Sequence, residues 1–151
     1  MLIRKRSVLF ISAILLQLLL MSAGWETNFA KAKDEAKASN KHILLSFSGS
    51  DWSMASIQIS KEIFGNTTFM QFADTNLVLV NVDFPKLKKN YLGKELTKQN
   101  KALAAEYNTY KVFPLTLLLD ANGKVLREWH NYKEMTPELF VSQIKAFEHA
   151  N

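Results

Sequence analysis

Two serines, Ser53 and Ser56, are the residues of this chain best spaced for chemistry. They belong to the octapeptide GSDWSMAS, which begins at Gly49 where an apolar run gives way to a helical pattern. A serine hydroxyl attacks as a nucleophile only when an adjacent base takes its proton. His42 is the histidine nearest in sequence, but it precedes the apolar run, and the chain has no Gly-x-Ser-x-Gly elbow. A hydrolase centre is therefore the less favoured interpretation.

The chain of 151 residues contains no cysteine. Thiol–disulfide exchange needs one thiolate to attack and a second thiol to resolve the mixed disulfide, so this chain cannot perform it alone. The three histidines (His42, His130 and His149) do not approach the spacing of a metal site. Asp51 and Asp83 are interpreted as a helix cap and a strand-end residue, not as an acid–base pair. We predict no metal and no cofactor.

The amino-terminal residues predict a secretory signal peptide over residues 1–24. Residues 4–6 are basic, residues 8–21 form an apolar run of 14 residues, and residues 22–24 are small. That run is short against the roughly 20 residues needed to cross a bilayer. We expect cleavage before Trp25 and an exported protein, periplasmic or secreted. An uncleaved anchor in the inner membrane, facing the periplasm, is the alternative and the one membrane contact that we expect.

The charge of the chain depends on this segment. Without residues 1–24 the formal charge falls from +5 to +2, since 16 Lys and Arg remain against 14 Asp and Glu. Such a charge gives no electrostatic case for nucleic acid. Lysines 86, 88, 89 and 94 are concentrated in one segment. We interpret them as a solvated loop, with an anionic partner or a membrane surface as the alternative.

Hydrophobic periodicity predicts one domain, residues 25–151, with alternating helices and strands. The predicted order is helix, strand, helix, strand, helix, strand, strand, helix, with a further short helix over residues 67–73. Strands are predicted at residues 42–47, 77–83, 115–120 and 125–129. The first helix is predicted from Trp25 to Ser39-Asn40, and the next is capped by Ser50 or Asp51 and ends at Gly65. A further helix is predicted toward Tyr107, and the last is capped by Thr136 with Pro137 at its first position. This order predicts an α/β sandwich, a mixed sheet flanked by helices.

The chain resembles the thioredoxin-like superfamily over residues 25–147. The segments that carry the resemblance are GSDW at the strand-to-helix turn, NVDFP at 81–85, FPLT at 113–116 and LLLDANGKV at 117–125. In particular it resembles exported bacterial members with a Gly-Ser-Asp-Trp-Cys-x-x-Cys site. The resemblance implies the three-layer thioredoxin-like sandwich and a degenerate redox site, in which Ser53 and Ser56 replace both cysteines. It also implies that Ser46 stands where many relatives place a buried aspartate.

The same resemblance implies a binding surface that needs no sulfur. Phe113-Pro114 matches the family's loop with a cis proline, which leaves a backbone edge on which an extended peptide can pair. We predict that Trp52, Ser53, Met54, Phe113 and Pro114 bind a protein or an extended peptide. The alternatives are an accessory role in a redox pathway and a structural subunit of an envelope assembly. Whether the protein is an enzyme stays undecided, and the absence of cysteine argues against it.

Laboratory replacement of cysteine by serine is another possible origin of the Ser-x-x-Ser site. Met54-Ala55 between the serines, a further serine at position 46 and the native-looking signal favour a natural sequence.

Overall fold

The computed structural model describes residues 24–130 and 132–148. The predicted signal peptide, apart from its last residue, and His149 lie outside the described residues, so both interpretations stay predictions. The helices are α1 (Phe29–Ser39), α2 (Met54–Ile59), α3 (Thr67–Asn76), α4 (Lys94–Tyr107) and α5 (Pro137–Glu148), with a π-helical turn Ser60–Phe64 and a 3-10 turn Lys88–Asn90. The strands are β1 (His42–Ser48), β2 (Leu77–Asp83), β3 (Leu115–Leu119) and β4 (Val125–Trp129).

The four strands form one mixed sheet in the order β2-β1-β3-β4. β1 pairs with β2 in parallel and with β3 antiparallel, while β3 and β4 form the predicted antiparallel hairpin. The register places Ser48 opposite Asp83 and Ser46 opposite Thr116. Because β1 and β2 are parallel, their carboxyl ends lie at the same edge of the sheet, where the GSDWSMAS turn begins.

Helices cover both faces of the sheet, because successive strand side chains point to opposite sides. Ile43, Leu45 and Phe47 of β1 pack with α1 and α4, whereas Leu44 packs with α2, α3 and α5. The predicted thioredoxin-like three-layer sandwich is confirmed. Within residues 24–130 and 132–148, no helix is long and apolar enough to span a membrane.

The first helix begins later than the apolar pattern predicts. We expected it to start at Trp25, but it starts at Phe29, since Asn28 Oδ1 accepts a hydrogen bond from the N–H of Lys31 at 3.0 Å and caps it. The residues before the cap are extended, and Glu26 forms an isolated bridge to Val80 of β2. Trp25 lies outside the helix and packs against the buried cluster that contains residues of α2, α3 and α5.

The helix after the turn is not uniform. α2 ends at Ile59, and the next five residues, Ser60–Phe64, form a π-helical turn before Gly65. The predicted stop at Gly65 is confirmed, but the apolar period gave no sign of the change in hydrogen-bond register. At the other end of the chain, the hydroxyl of Thr136 accepts from the N–H of Leu139 at 3.1 Å, so the predicted cap of α5 is confirmed.

Candidate functional site

The Ser53 hydroxyl caps α2. Ser53 has an extended backbone, and its Oγ accepts a hydrogen bond from the N–H of Ser56 at 3.2 Å. The prediction that Ser50 or Asp51 caps this helix is therefore wrong. All three residues are good capping types, so the local sequence did not distinguish them. Trp52 correspondingly precedes the helix and does not belong to its apolar side.

Both serines of the Ser-x-x-Ser site are buried and used by the backbone. Their exposed fractions are 8% for Ser53 and 3% for Ser56. The Ser56 hydroxyl accepts from the N–H of Gly49 at 3.2 Å, and the Ser53 hydroxyl points toward the carbonyl of Phe113 at 3.5 Å. No histidine is among their hydrogen-bond partners in the described chain, and His42 lies at the far end of β1. The arrangement lacks the base that a serine nucleophile requires.

Asp51 joins the turn to the lysine-rich segment instead of capping α2. Its carboxylate accepts hydrogen bonds from the N–H groups of Lys86 and Leu87, each at 2.9 Å, and from the side-chain amide of Asn90 at 3.0 Å. These donors, the Lys86 N–H foremost, hold the pKa of the Asp51 carboxyl below its usual value. The carboxylate of Asp51 therefore holds together, by hydrogen bonds, two segments that lie 35 residues apart in sequence.

Asp83 performs a similar task at the end of β2. Its Oδ1 accepts from the N–H of Ser50 at 2.9 Å and from the hydroxyl of Ser48 at 3.0 Å. The Ser50 hydroxyl donates to the other carboxylate oxygen. The interpretation of Asp83 as a strand-end residue is confirmed. Together with Asp51, it fixes the backbone of the turn before α2 begins.

Trp52 is held from several sides. Its indole N–H donates to the carbonyl of Phe84 at 2.7 Å, and its ring meets the Phe113 ring edge-on at 5.4 Å between centroids. The ammonium of Lys86 lies 3.8 Å from the centroid of the indole ring. A Cβ on Gly49 would lie 2.4 Å from Trp52 Cε2, so only glycine leaves room for the ring there. The indole is nevertheless 37% exposed, which leaves part of it open to a ligand.

The other predicted binding residues lie around the same turn, although they differ in accessibility. Met54 is 76% exposed at the first position of α2, whereas Pro114 is buried. The Phe113–Pro114 peptide bond is cis, as the resemblance implied. A depression of about 620 Å³ lies on one side, lined by Ala55, Pro114 and His130 among others, and one of about 660 Å³ on the other, lined by Trp52, Phe84 and Phe113 among others.

A cavity of about 470 Å³ lies behind the turn, between β1 and the α2 segment. Its lining is mixed, with Ser46, Ser48 and Ser56 beside the apolar Ile59 and Phe64. The hydroxyl of Ser46 lies 3.5 Å from that of Thr116, and Ser46 is 3% exposed. At the position where the resemblance implies a buried aspartate, this chain thus has a neutral hydroxyl that faces the hydroxyl of Thr116.

Sequence reasoning missed the residues that hold the site together. Phe84 and Lys86 were not predicted to belong to the site, although both contact Trp52. The available signal was NVDFP, in which Phe84 and Pro85 directly follow a predicted strand, since a parallel neighbour of β1 must end beside the turn. In the parts of the chain that the structure describes, no group of three or more metal-ligating residues is present.

A mixed sheet between two helical layers, a strand-to-helix turn that carries the site, and a facing cis-proline loop define the thioredoxin-like class of proteins. The chain belongs to this family: the family model described as a thioredoxin-like domain matches residues 29–147. Because both hydroxyls stand where the family has thiols, the site is degenerate.

Among known proteins, the chain is similar to the disulfide bond reductase DsbH of Chlamydia pneumoniae. The two are 34% identical over 122 residues, which cover 81% of this chain and 70% of that protein. A solved structure of a DsbH oxidoreductase superimposes with a TM-score of 0.76 at 32% identity, covering 86% of this chain and 87% of the other.

More distant similarities support fewer conclusions about this chain. The thioredoxin-related protein DsbJ of the same organism is 25% identical over 103 residues, which cover 68% of this chain and only 29% of DsbJ. A poplar thioredoxin h structure, 16% identical with a TM-score of 0.56, covers 86% of this chain and 99% of the other. At that identity the similarity shows the fold alone.

Proposed function

We propose that this protein is an exported, redox-inactive member of the thioredoxin-like family that binds a protein or an extended peptide through the former active-site groove. The observation that carries the proposal is the use of both serine hydroxyls as acceptors for backbone N–H groups. The turn keeps its shape without thiols, while Met54 and part of Trp52 stay exposed beside Phe113 and Pro114.

Export is proposed from the amino-terminal pattern of basic, apolar and small residues, with the periplasm or the medium as the destination. The similarity to a protein named as a disulfide bond reductase supports a partner that is itself a protein, because disulfide bonds join the cysteines of proteins. A chain without cysteine would keep the recognition of such a partner and lose the exchange step.

Photo-crosslinking tests the groove. A photo-reactive residue at position 54 should give a crosslinked partner in the native cells, whereas one at position 70 should not. Met70 is the matched control, because it is an exposed methionine on α3, away from the turn. Met54→Glu should weaken the complex about 5-fold or more by placing a charge at the contact, while Met70→Glu should leave it unchanged.

The alternatives give different results in the same experiment. A structural subunit that uses the lysine-rich segment would crosslink from position 88 and not from position 54. An oxidoreductase would turn over a disulfide substrate, and clear turnover by this chain would contradict redox inactivity. If Met54→Glu left the purified complex as tight as Met70→Glu does, the proposed groove would be wrong.

A further inference from the structure

The net positive charge of residues 25–151 comes from one segment beside the site. Residues 84–112 contain seven lysines and two glutamates, a net charge of +5. The rest of residues 25–151 contains nine basic and twelve acidic residues, a net charge of −3. A modest net charge therefore conceals a strong separation of charge, and the basic part includes Phe84 and Lys86, which contact Trp52.

These lysines are not neutralised by the protein. Among the described residues the ion pairs join Lys31 to Glu26 and His130 to Glu128, so none of the seven lysines in residues 84–112 takes part in one. Two carboxylates from outside this segment contact it. Asp51 accepts from two backbone N–H groups and an amide, and Asp83 accepts from the N–H of Phe84. The segment thus presents ammonium groups that form no ion pair with a carboxylate of the described residues.

An apolar depression adjoins the ammonium groups. We call it the lysine cleft; it is the depression of about 660 Å³ beside Trp52, within the size range of ligand clefts. Its apolar lining includes Trp52, Phe84, Ala104 and Phe113, and its charged lining is Lys86, Lys101 and Lys111. No carboxylate lines it. A ligand in the cleft would meet apolar surface and positive charge together.

We propose that the lysine cleft binds an acidic extended segment of the protein partner, with an aliphatic or aromatic side chain packed against Trp52 and Phe84. Carboxylates next to that side chain would face Lys101 and Lys111. The inference rests on the proposed function, because Trp52 and Phe113 belong to both the groove and the cleft. A flat lipid surface fits less well, since the apolar lining is concave and bordered by the lysines.

The test uses peptides selected by the protein itself. A phage library of random dodecapeptides is selected against the protein, and each recovered peptide is synthesised with a neutral twin in which Asp and Glu become Asn and Gln. The recovered peptides should be enriched in acidic residues beside an apolar one. In fluorescence polarisation, each neutral twin should bind about 5-fold more weakly, and the difference should shrink as salt rises.

A double variant, Lys101→Gln/Lys111→Gln, should reduce affinity for the acidic peptides to that of their twins. Lys37→Gln/Lys124→Gln is the matched control, because it removes the same charge from exposed positions outside the cleft and should retain the preference. Both control lysines lie outside residues 84–112.

Four results would overturn the inference. Equal binding of acidic peptides and neutral twins, with Met54→Glu still weakening both, would leave the proposed groove intact and remove the role of the cleft. Recovered peptides that ignore Met54→Glu, or no recovered peptides, would remove the proposed function as well. Binding to vesicles with anionic phospholipid that Lys101→Gln/Lys111→Gln abolishes, without any effect on peptides, would assign the lysines to a membrane.

Discussion

The side chain of Ser53 accepts a hydrogen bond from the N–H of Ser56, 3.2 Å away, and so stands as the N-cap of α2. An oxygen acceptor satisfies one of the N–H groups that the first turn of a helix leaves without a partner. Sulfur is a weak acceptor, so a thiol at this position would cap the helix less well. A serine hydroxyl at position 53 is therefore a better cap for α2 than a cysteine thiol would be.

Loss of this cap should destabilise the protein. Ser53→Ala removes the acceptor for the Ser56 N–H, and we expect the free energy of unfolding to fall by about 1 kcal/mol. Urea denaturation of the variant and the parent measures the difference. Ser60→Ala is the control, because Ser60 is exposed and its hydroxyl has no hydrogen bond to a described residue. Equal effects of the two substitutions would mean that the Ser53 cap contributes nothing.

Restored thiols should regain the acidity of a redox site. In Ser53→Cys/Ser56→Cys, the thiol at position 53 would lie at the amino end of α2, where backbone N–H groups stabilise a thiolate. We expect its pKa to fall below the usual value of about 8.5, as followed by thiolate absorbance against pH. Ser60→Cys places a thiol on the same segment away from that end, and its pKa should stay ordinary. An ordinary value at both positions would show that the scaffold no longer tunes a thiolate.

Asp51 should make stability depend on pH in the acid range. Its pKa is lowered in the folded protein from 3.8, chiefly by the N–H of Lys86. A depressed folded pKa means that the stabilisation is fully present above the unfolded pKa and is lost as the pH falls through the folded one.

In Asp51→Asn this contribution is absent, so the midpoint of thermal unfolding should be lower than that of the parent at neutral pH. The two midpoints should converge below the folded pKa. Asp34→Asn is a suitable control, since Asp34 is an exposed carboxylate on α1, outside the turn, and the substitution is chemically the same. If the difference between the two unfolding midpoints stayed constant from neutral to acid pH, the stabilisation by Asp51 would not depend on its ionisation.

Gly49 should tolerate no side chain while the indole of Trp52 is in place. In Gly49→Ala the new methyl group would lie 2.4 Å from Trp52 Cε2, and overpacking of this kind costs about 1–3 kcal/mol. The same substitution made in Trp52→Ala should cost much less, because the clashing ring is gone. Urea denaturation of the four proteins of this double-mutant cycle measures the coupling. Additive effects would place the cause of any destabilisation elsewhere.

The sheet and most helices were predictable because burial of each element follows its own apolar period. The site was only partly predictable from the sequence. Ser50, Asp51 and Ser53 are all capping residues within four positions, and the choice among them depends on what else each can reach. Asp51 reaches the N–H of Lys86 and Ser50 reaches Asp83, contacts between residues more than 30 positions apart. No local sequence pattern encodes such partners, so the capping by Ser53 and the hydrogen bonds of Asp51 could be identified only from the structure.

The way in which Trp52 is held has a consequence for how tightly a partner can bind. A hydrogen bond to Phe84, the ring of Phe113 and the ammonium of Lys86 already restrict the indole in the free protein. Side chains that are immobilised only on binding lose rotamer entropy, which subtracts from affinity. Since the indole of Trp52 is already restricted in the folded protein, a partner that packs against it would lose little affinity to the ordering of that side chain. Trp52 would thus be the preorganised part of the groove.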